Sequence, residues 1–250
     1  MIHDILTIFW KEWKEIKELI WQRGSGRGSG LRLVAVFGIV GGYLPWQFGI
    51  MWIESPLPVI YGAFYSIFMV TSIIVDCFAG ERERHTLETL LASRIPDYAI
   101  LLGKLTATIS YGMCFVLIIE IIGLFAANLN VNSGMFVNYS AQTMLSILLI
   151  SFFGSWLMAE IGLFLSLRAS TVRQVTQNLN TGIMVAFLVA NFGFTALPKT
   201  WKETILHVFN INDGQAIMYV IAIILLVIDV IILFLTTDTF KLEKLAIEHR

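Results

Sequence analysis

The chain has 250 residues, 57% of them hydrophobic and only 14% charged, and its mean hydropathy is +0.76. A soluble domain carries about a quarter charged residues, so this composition excludes an ordinary water-soluble fold and points to a surface that faces lipid. The net charge of -1 provides no field to attract nucleic acid, and no basic patch lies outside the flanks of the apolar runs.

The first predicted element is an amphipathic helix over residues 4–21. Ile5, Phe9, Trp13, Ile16 and Ile20 recur at helical spacing, with Lys11, Lys14, Glu15 and Glu18 largely opposite. Such a helix suits the cytoplasmic membrane interface, with Trp10, Trp13 and Trp21 as anchors at headgroup depth. Its charges interrupt the apolar core that a secretory signal needs. Gly24-Ser25-Gly26-Arg27-Gly28-Ser29-Gly30 then reads as a flexible connector, closing a cytoplasmic unit over residues 1–30. It has neither the Gly-Lys-Ser/Thr ending of a phosphate loop nor a preceding strand, so no nucleotide site is read there.

A helical span needs about 20 mostly apolar residues. Six runs qualify, near 31–53, 57–79, 101–127, 140–167, 176–197 and 215–237. The expected fold is therefore all-α: a polytopic membrane protein with six transmembrane helices over 31–237, preceded by the interfacial elbow helix and followed by a cytoplasmic tail over 238–250. The runs lack the alternation of barrel strands. Fifteen of the 17 Lys and Arg residues fall on the side that holds both termini, and only Lys199 and Lys202 on the other. The basic side is expected to be cytoplasmic. Cys77 and Cys114 lie inside apolar runs and read as small hydrophobes. On the outer side, 198–214 places Trp201, Ile205, Val208 and Phe209 on one helical face. It reads equally as a re-entrant or interfacial segment and as a plain loop.

Between the second and third runs stands Glu81-Arg82-Glu83-Arg84-His85-Thr86-Leu87-Glu88-Thr89-Leu90-Leu91. Charges placed between two spans must sit in water at a membrane face. A short helix is predicted over about 80–95, with Glu81–His85 and Arg84–Glu88 pairs one turn apart and an apolar stripe of Leu87, Leu90 and Leu91. Pro96 ends it, Asp97 is the expected N-cap of the third span, and Gly103-Lys104 lies at the mouth of that span.

The order of these residues resembles the permease subunits of ABC-2 type transporters. The matching positions are Glu81, Glu83, Thr86, Leu87, Glu88, Leu90, Leu91, Gly103 and Lys104, with His85 where the family commonly has Gly. The resemblance implies an elbow helix, six spans, cytoplasmic termini and a coupling helix at 80–95 that docks on a separate ATPase subunit. Glu81, Arg82, Glu83, Arg84, Thr86, Leu87, Glu88, Leu90 and Leu91 would then form the ATPase-coupling surface. ATP and Mg would be bound by the partner, with no cofactor, metal or catalytic residue on this chain, and a second permease chain would complete a homo- or heterodimer. Outward export of a hydrophobic or amphipathic substrate is the implied activity.

Asp76, Glu120, Glu160 and Asp229 fall inside the runs, where ionisable groups are costly and face protein or water. Glu120 and Glu160 are the candidate translocation-pathway residues, with plain interhelical bonding as the alternative. Gly182, Ala186 and Ala190 stand at four-residue spacing and are a candidate dimer contact, or packing within the chain. The rival reading is a proton-coupled secondary transporter that uses the intramembrane carboxylates. Neither a metalloprotease motif nor a nucleophile–base pair supports an enzyme.

Overall fold

The computed structural model describes residues 2–25, 37–84, 95–130, 136–168, 171–196, 198 and 218–233. The connector from residue 26, the distal coupling segment 85–94, almost all of the outer segment 198–214 and the tail 238–250 lie outside the described residues. Among the described residues every regular element is helical.

Helix α1 spans Ile2–Ser25. The run expected as one continuous first span through residue 53 is broken. Phe37–Tyr43 is π-helical, α2 covers Leu44–Phe48 and α3 covers Ile50–Glu54. Pro45 lacks an N–H to continue the ladder, and Gly49, at φ +54, takes a backbone conformation open to glycine. Apolarity marked the run as membrane-compatible, but these two residues deny it a regular helix.

The next elements are longer. α4 is Leu57–Val75, with Pro58 in the first turn, where a missing N–H costs nothing. It runs through a π-helical stretch, Asp76–Gly80, into one helical turn, Glu81–Glu83. α5 is Asp97–Leu129, α6 Ala141–Arg168 and α7 Val172–Ala196. Asp97 is the first helical residue rather than the N-cap; extended Pro96 holds that position, with no side-chain cap bond. A shorter apolar helix, α8, is Met218–Leu233. Among the described residues, three helices are long and apolar enough to cross a membrane, over Leu57–Val75, Tyr98–Leu129 and Ala141–Ser166.

α4 is central, packed against α5, α6 and α7, while α1 lies along the first half of α5. Lipid tails are as apolar as leucine, so close van der Waals fit must replace water exclusion as the cohesive force between spans. Glycine supplies the fit. A Cβ at Gly112 of α5 would stand 2.6 Å from Val70 of α4, and one at Gly162 of α6 would collide with Ile74 of α4. The Ser66 hydroxyl of α4 adds a 3.1 Å bond to the Ser151 carbonyl of α6. Gly103 performs the same service for α1: its absent Cβ would be 2.6 Å from Ile8.

Candidate functional site: a buried ion cluster beneath the charged segment

One face of α1 is packed into the protein. Ile8, Glu12 and Ile16, one turn apart, are all buried, and this face packs on α5. Trp13 stacks on Phe9 at 5.7 Å and meets the edge of Tyr111 in α5 at 5.9 Å. Trp13 therefore faces the helix bundle. Trp10 is exposed, and the Trp21 side chain lies outside the described residues.

Glu12 sits in the middle of that packed face, and the reason lies on α5. Gly103 lets α1 approach, which brings Glu12 onto Lys104. The Lys104 ammonium is fully buried and lies 3.0 Å from Glu12 and 2.9 Å from Glu81. It also donates to the Cys77 carbonyl at 2.8 Å. Three acceptors match the three donors of an ammonium. Lys11 closes the cluster from the rim, 3.2 Å from Glu81 and 3.4 Å from both Glu12 and Glu15. Partial burial works against the Lys11 charge, but Glu12, Glu81 and Glu15 together outweigh it and hold its pKa above the ordinary lysine value. Glu12, Glu15 and Glu81 offer oxygens within 4.8 Å of one another. Lys11 and Lys104 already stand among them and neutralise the charge that a metal would need.

The cluster joins three parts of the chain: α1 through Lys11 and Glu12, the end of α4 through Cys77 and Glu81, and α5 through Lys104. Two further bonds fasten the same segment. Arg84 lies 3.4 Å from Asp76 across Gly80. Glu83 accepts the backbone N–H of Val172, the first residue of α7, at 2.8 Å. A carboxylate there meets an unsatisfied helix donor and the positive end of the helix dipole, an interaction of about 0.3–2 kcal/mol.

Of the sequence-derived coupling residues, Glu81 is thus turned into the protein, while Glu83 and Arg84 are exposed. The Arg82 side chain and all of Thr86, Leu87, Glu88, Leu90 and Leu91 lie outside the described residues. Sequence reading did not assign Lys11, Glu12 or Lys104 to one site. The available signal was a glutamate between Ile8 and Ile16 at helical spacing and a lysine inside an apolar run.

The carboxyls inside the apolar runs occupy separate places. Glu120 on α5 accepts from the Tyr139 hydroxyl at 3.1 Å, and that hydroxyl accepts from Trp52 Nε1 at 3.2 Å. Burial, reinforced by the Glu120 charge, raises the Tyr139 pKa, so the hydroxyl keeps its proton and donates. Glu160 on α6 accepts from Trp156 Nε1 at 2.6 Å, and Asp229 on α8 is buried. Glu120 Oε1, Glu160 Oε2 and both Asp229 oxygens are buried without a hydrogen-bond partner among the described residues. A cavity of about 480 Å³ lies between α4, α6, α7 and α8 and is lined by apolar side chains that include Phe64, Ile150, Met158, Ile183 and Ala186. A Cβ at Gly182 would have no neighbour within 4 Å among the described residues, Ala186 lines the cavity, and the Ala190 side chain lies outside the described residues.

The family model for the ABC-2 type transporter matches residues 3–209, which include every member of the ion cluster. The chain belongs to the ABC-2 type transporter family. Family membership makes it a membrane transport component of the ABC permease kind, in keeping with the three span-length apolar helices among its described residues. No curated protein matches the chain. In this ABC-2 protein the matched region begins in α1 and continues beyond the end of α7, so the helix that supplies Lys11 and Glu12 belongs to the family's domain.

Proposed function

We propose that this chain is the membrane-spanning, non-catalytic permease subunit of an ABC exporter. ATP and Mg are bound and ATP is hydrolysed on a separate ATPase subunit, which docks on the segment 80–95. The family match over residues 3–209 carries this reading. Leu87, Leu90 and Leu91 fill a groove on the ATPase, and the charges around them set its orientation. The proposed membrane domain has six spans, both termini cytoplasmic, in the cell's plasma or inner membrane, and pairs with a second permease chain. The cargo moved outward is hydrophobic or amphipathic, and the apolar cavity between α4, α6, α7 and α8 supports that class. The test is co-purification: the wild-type chain retains an ATPase, and Leu90→Asp loses it while still inserting in the membrane. Equal recovery of ATPase with both chains contradicts the docking surface.

Proton coupling is the second reading. The oxygens of Glu120, Glu160 and Asp229 that have no hydrogen-bond partner among the described residues support it, because ionisable groups inside apolar spans mark proton and ion paths. Sealed vesicles separate the two. Transport that stops when an ionophore collapses the proton gradient, and that continues without any ATPase, establishes the second reading and removes the first.

A further inference from the structure

The charged segment is joined covalently to α4 at one end and to α5 at the other. α7 has no such connection, since Val172 is 89 residues from Glu83. Yet α7 carries Ile183 and Ala186 of the cavity wall, and Met184, Val185 and Val189 are exposed on it. Something must bring motion of the segment to this helix if the wall is to move.

We propose that Glu83 is a positioning residue that carries this motion into α7 through its bond to the Val172 N–H, while Glu81, through Lys104 and Lys11, carries it into α5 and α1. The inference rests on the permease reading above and changes the role of these two acids. They pass force inward, and contact with the ATPase falls to the residues after Arg84. The geometry favours transmission. The Glu83–Val172 bond is 2.8 Å long and charge-assisted. It acts at the end of a 25-residue helix, and an α-helix moves as a rod: from Val172 to Ile183 is about 16 Å along its axis. Glu81 is anchored by an ammonium with no exposure to water, so its tether is not loosened by solvent.

Side-chain chemistry separates transmission from docking. Gln at position 83 keeps an oxygen that accepts the Val172 N–H but loses the charge. Ala loses both. The experiment uses the complex of this chain with its ATPase subunit in lipid nanodiscs, without nucleotide and with ATP plus vanadate, read by hydrogen exchange over residues 171–183. Wild type shows an ATP-dependent change in uptake there. Glu83→Ala reduces that change by about fivefold, the population shift expected from losing one hydrogen bond of ordinary strength, read in the complexes that retain the ATPase. Glu83→Gln keeps most of the change. The proposal is overturned if Glu83→Ala responds to ATP as wild type does, if wild type shows no change over these residues, or if Ala and Gln alike shed the ATPase, which would make Glu83 a docking residue. A wild-type chain that retains no ATPase removes the permease reading itself, and this inference with it.

Discussion

The Lys104 ammonium lies 2.9 Å from a Glu81 carboxylate oxygen, and none of the lysine side chain is exposed. A charge held away from water survives only if it is paired and hydrogen-bonded. The pairing therefore fixes the start of the charged segment against α5, and Glu12 extends the same constraint to α1.

Removing the lysine leaves Glu12 and Glu81 without the buried ammonium that pairs them. Lys104→Met is expected to destabilise the chain by about 3–5 kcal/mol, as breaking a buried pair does. Arg84→Ala breaks the contact with Asp76, in which the arginine side chain is 56% exposed, and is expected to cost less than about 1 kcal/mol. Thermal unfolding of the purified proteins in detergent checks the contrast. Equal shifts for the two variants would show that the cluster is not buried as described.

Lys11 sets a pH window. Its folded pKa is raised, so the stability it contributes is complete below the unfolded value and is lost as pH rises through the folded one. The stability difference between wild type and Lys11→Met is expected to stay flat from about pH 6 to about pH 9 and to shrink only above about pH 10.4. Because Lys11 is 41% exposed, the difference is expected to be no more than about 1 kcal/mol. Denaturation curves at several pH values measure it. A loss already complete at pH 9 would contradict the ion pairing.

Tyr139 and Glu120 can be tested apart. Tyr139→Phe leaves Trp52 Nε1 and Glu120 Oε2 without the partner they share, at an expected cost of about 1–3 kcal/mol. Glu120→Gln keeps an acceptor for Tyr139, so assembly is expected to be preserved while transport changes. Uptake into proteoliposomes, compared with yield from gel filtration, reads both. Unchanged transport in Glu120→Gln removes this carboxyl from the pathway.

Two glycines give opposite outcomes. Gly112→Leu forces a side chain into Val70, where even a Cβ would be at 2.6 Å, and is expected to cost about 1–3 kcal/mol or more. A Cβ at Gly182 meets nothing within 4 Å among the described residues, which leaves room for Gly182→Leu. It is expected to leave the single chain as stable as before, or up to about 1 kcal/mol better through helix propensity, while weakening association with a second copy. Thermal unfolding and mass photometry in nanodiscs distinguish these effects. A destabilised monomer with Gly182→Leu would contradict the open environment of that residue.

Much of the helical frame was legible in the sequence. Span-length runs give α4, α5 and α6, and the repeat of Ile5, Phe9 and Trp13 gives α1. The first run misled because apolarity does not register the break at Pro45 and Gly49. The candidate site was half legible. Glu81, Glu83 and Lys104 stood in the recognised motif, but their directions did not. Periodicity gave Trp13 an apolar face without saying whether lipid or Tyr111 would cover it.

The sequence by itself determined the class: an apolar chain that must satisfy its backbone inside helices, with few charges inside its runs and a family pattern around residue 83. These properties depend on residue types and on spacing along a single helix. Only the tertiary structure decided that Glu12 finds Lys104 and that Glu83 caps α7. Those pairings require helices distant in sequence to come within a few ångströms, and small residues such as Gly103, with Ile8 packed where a side chain would have been, permit that approach.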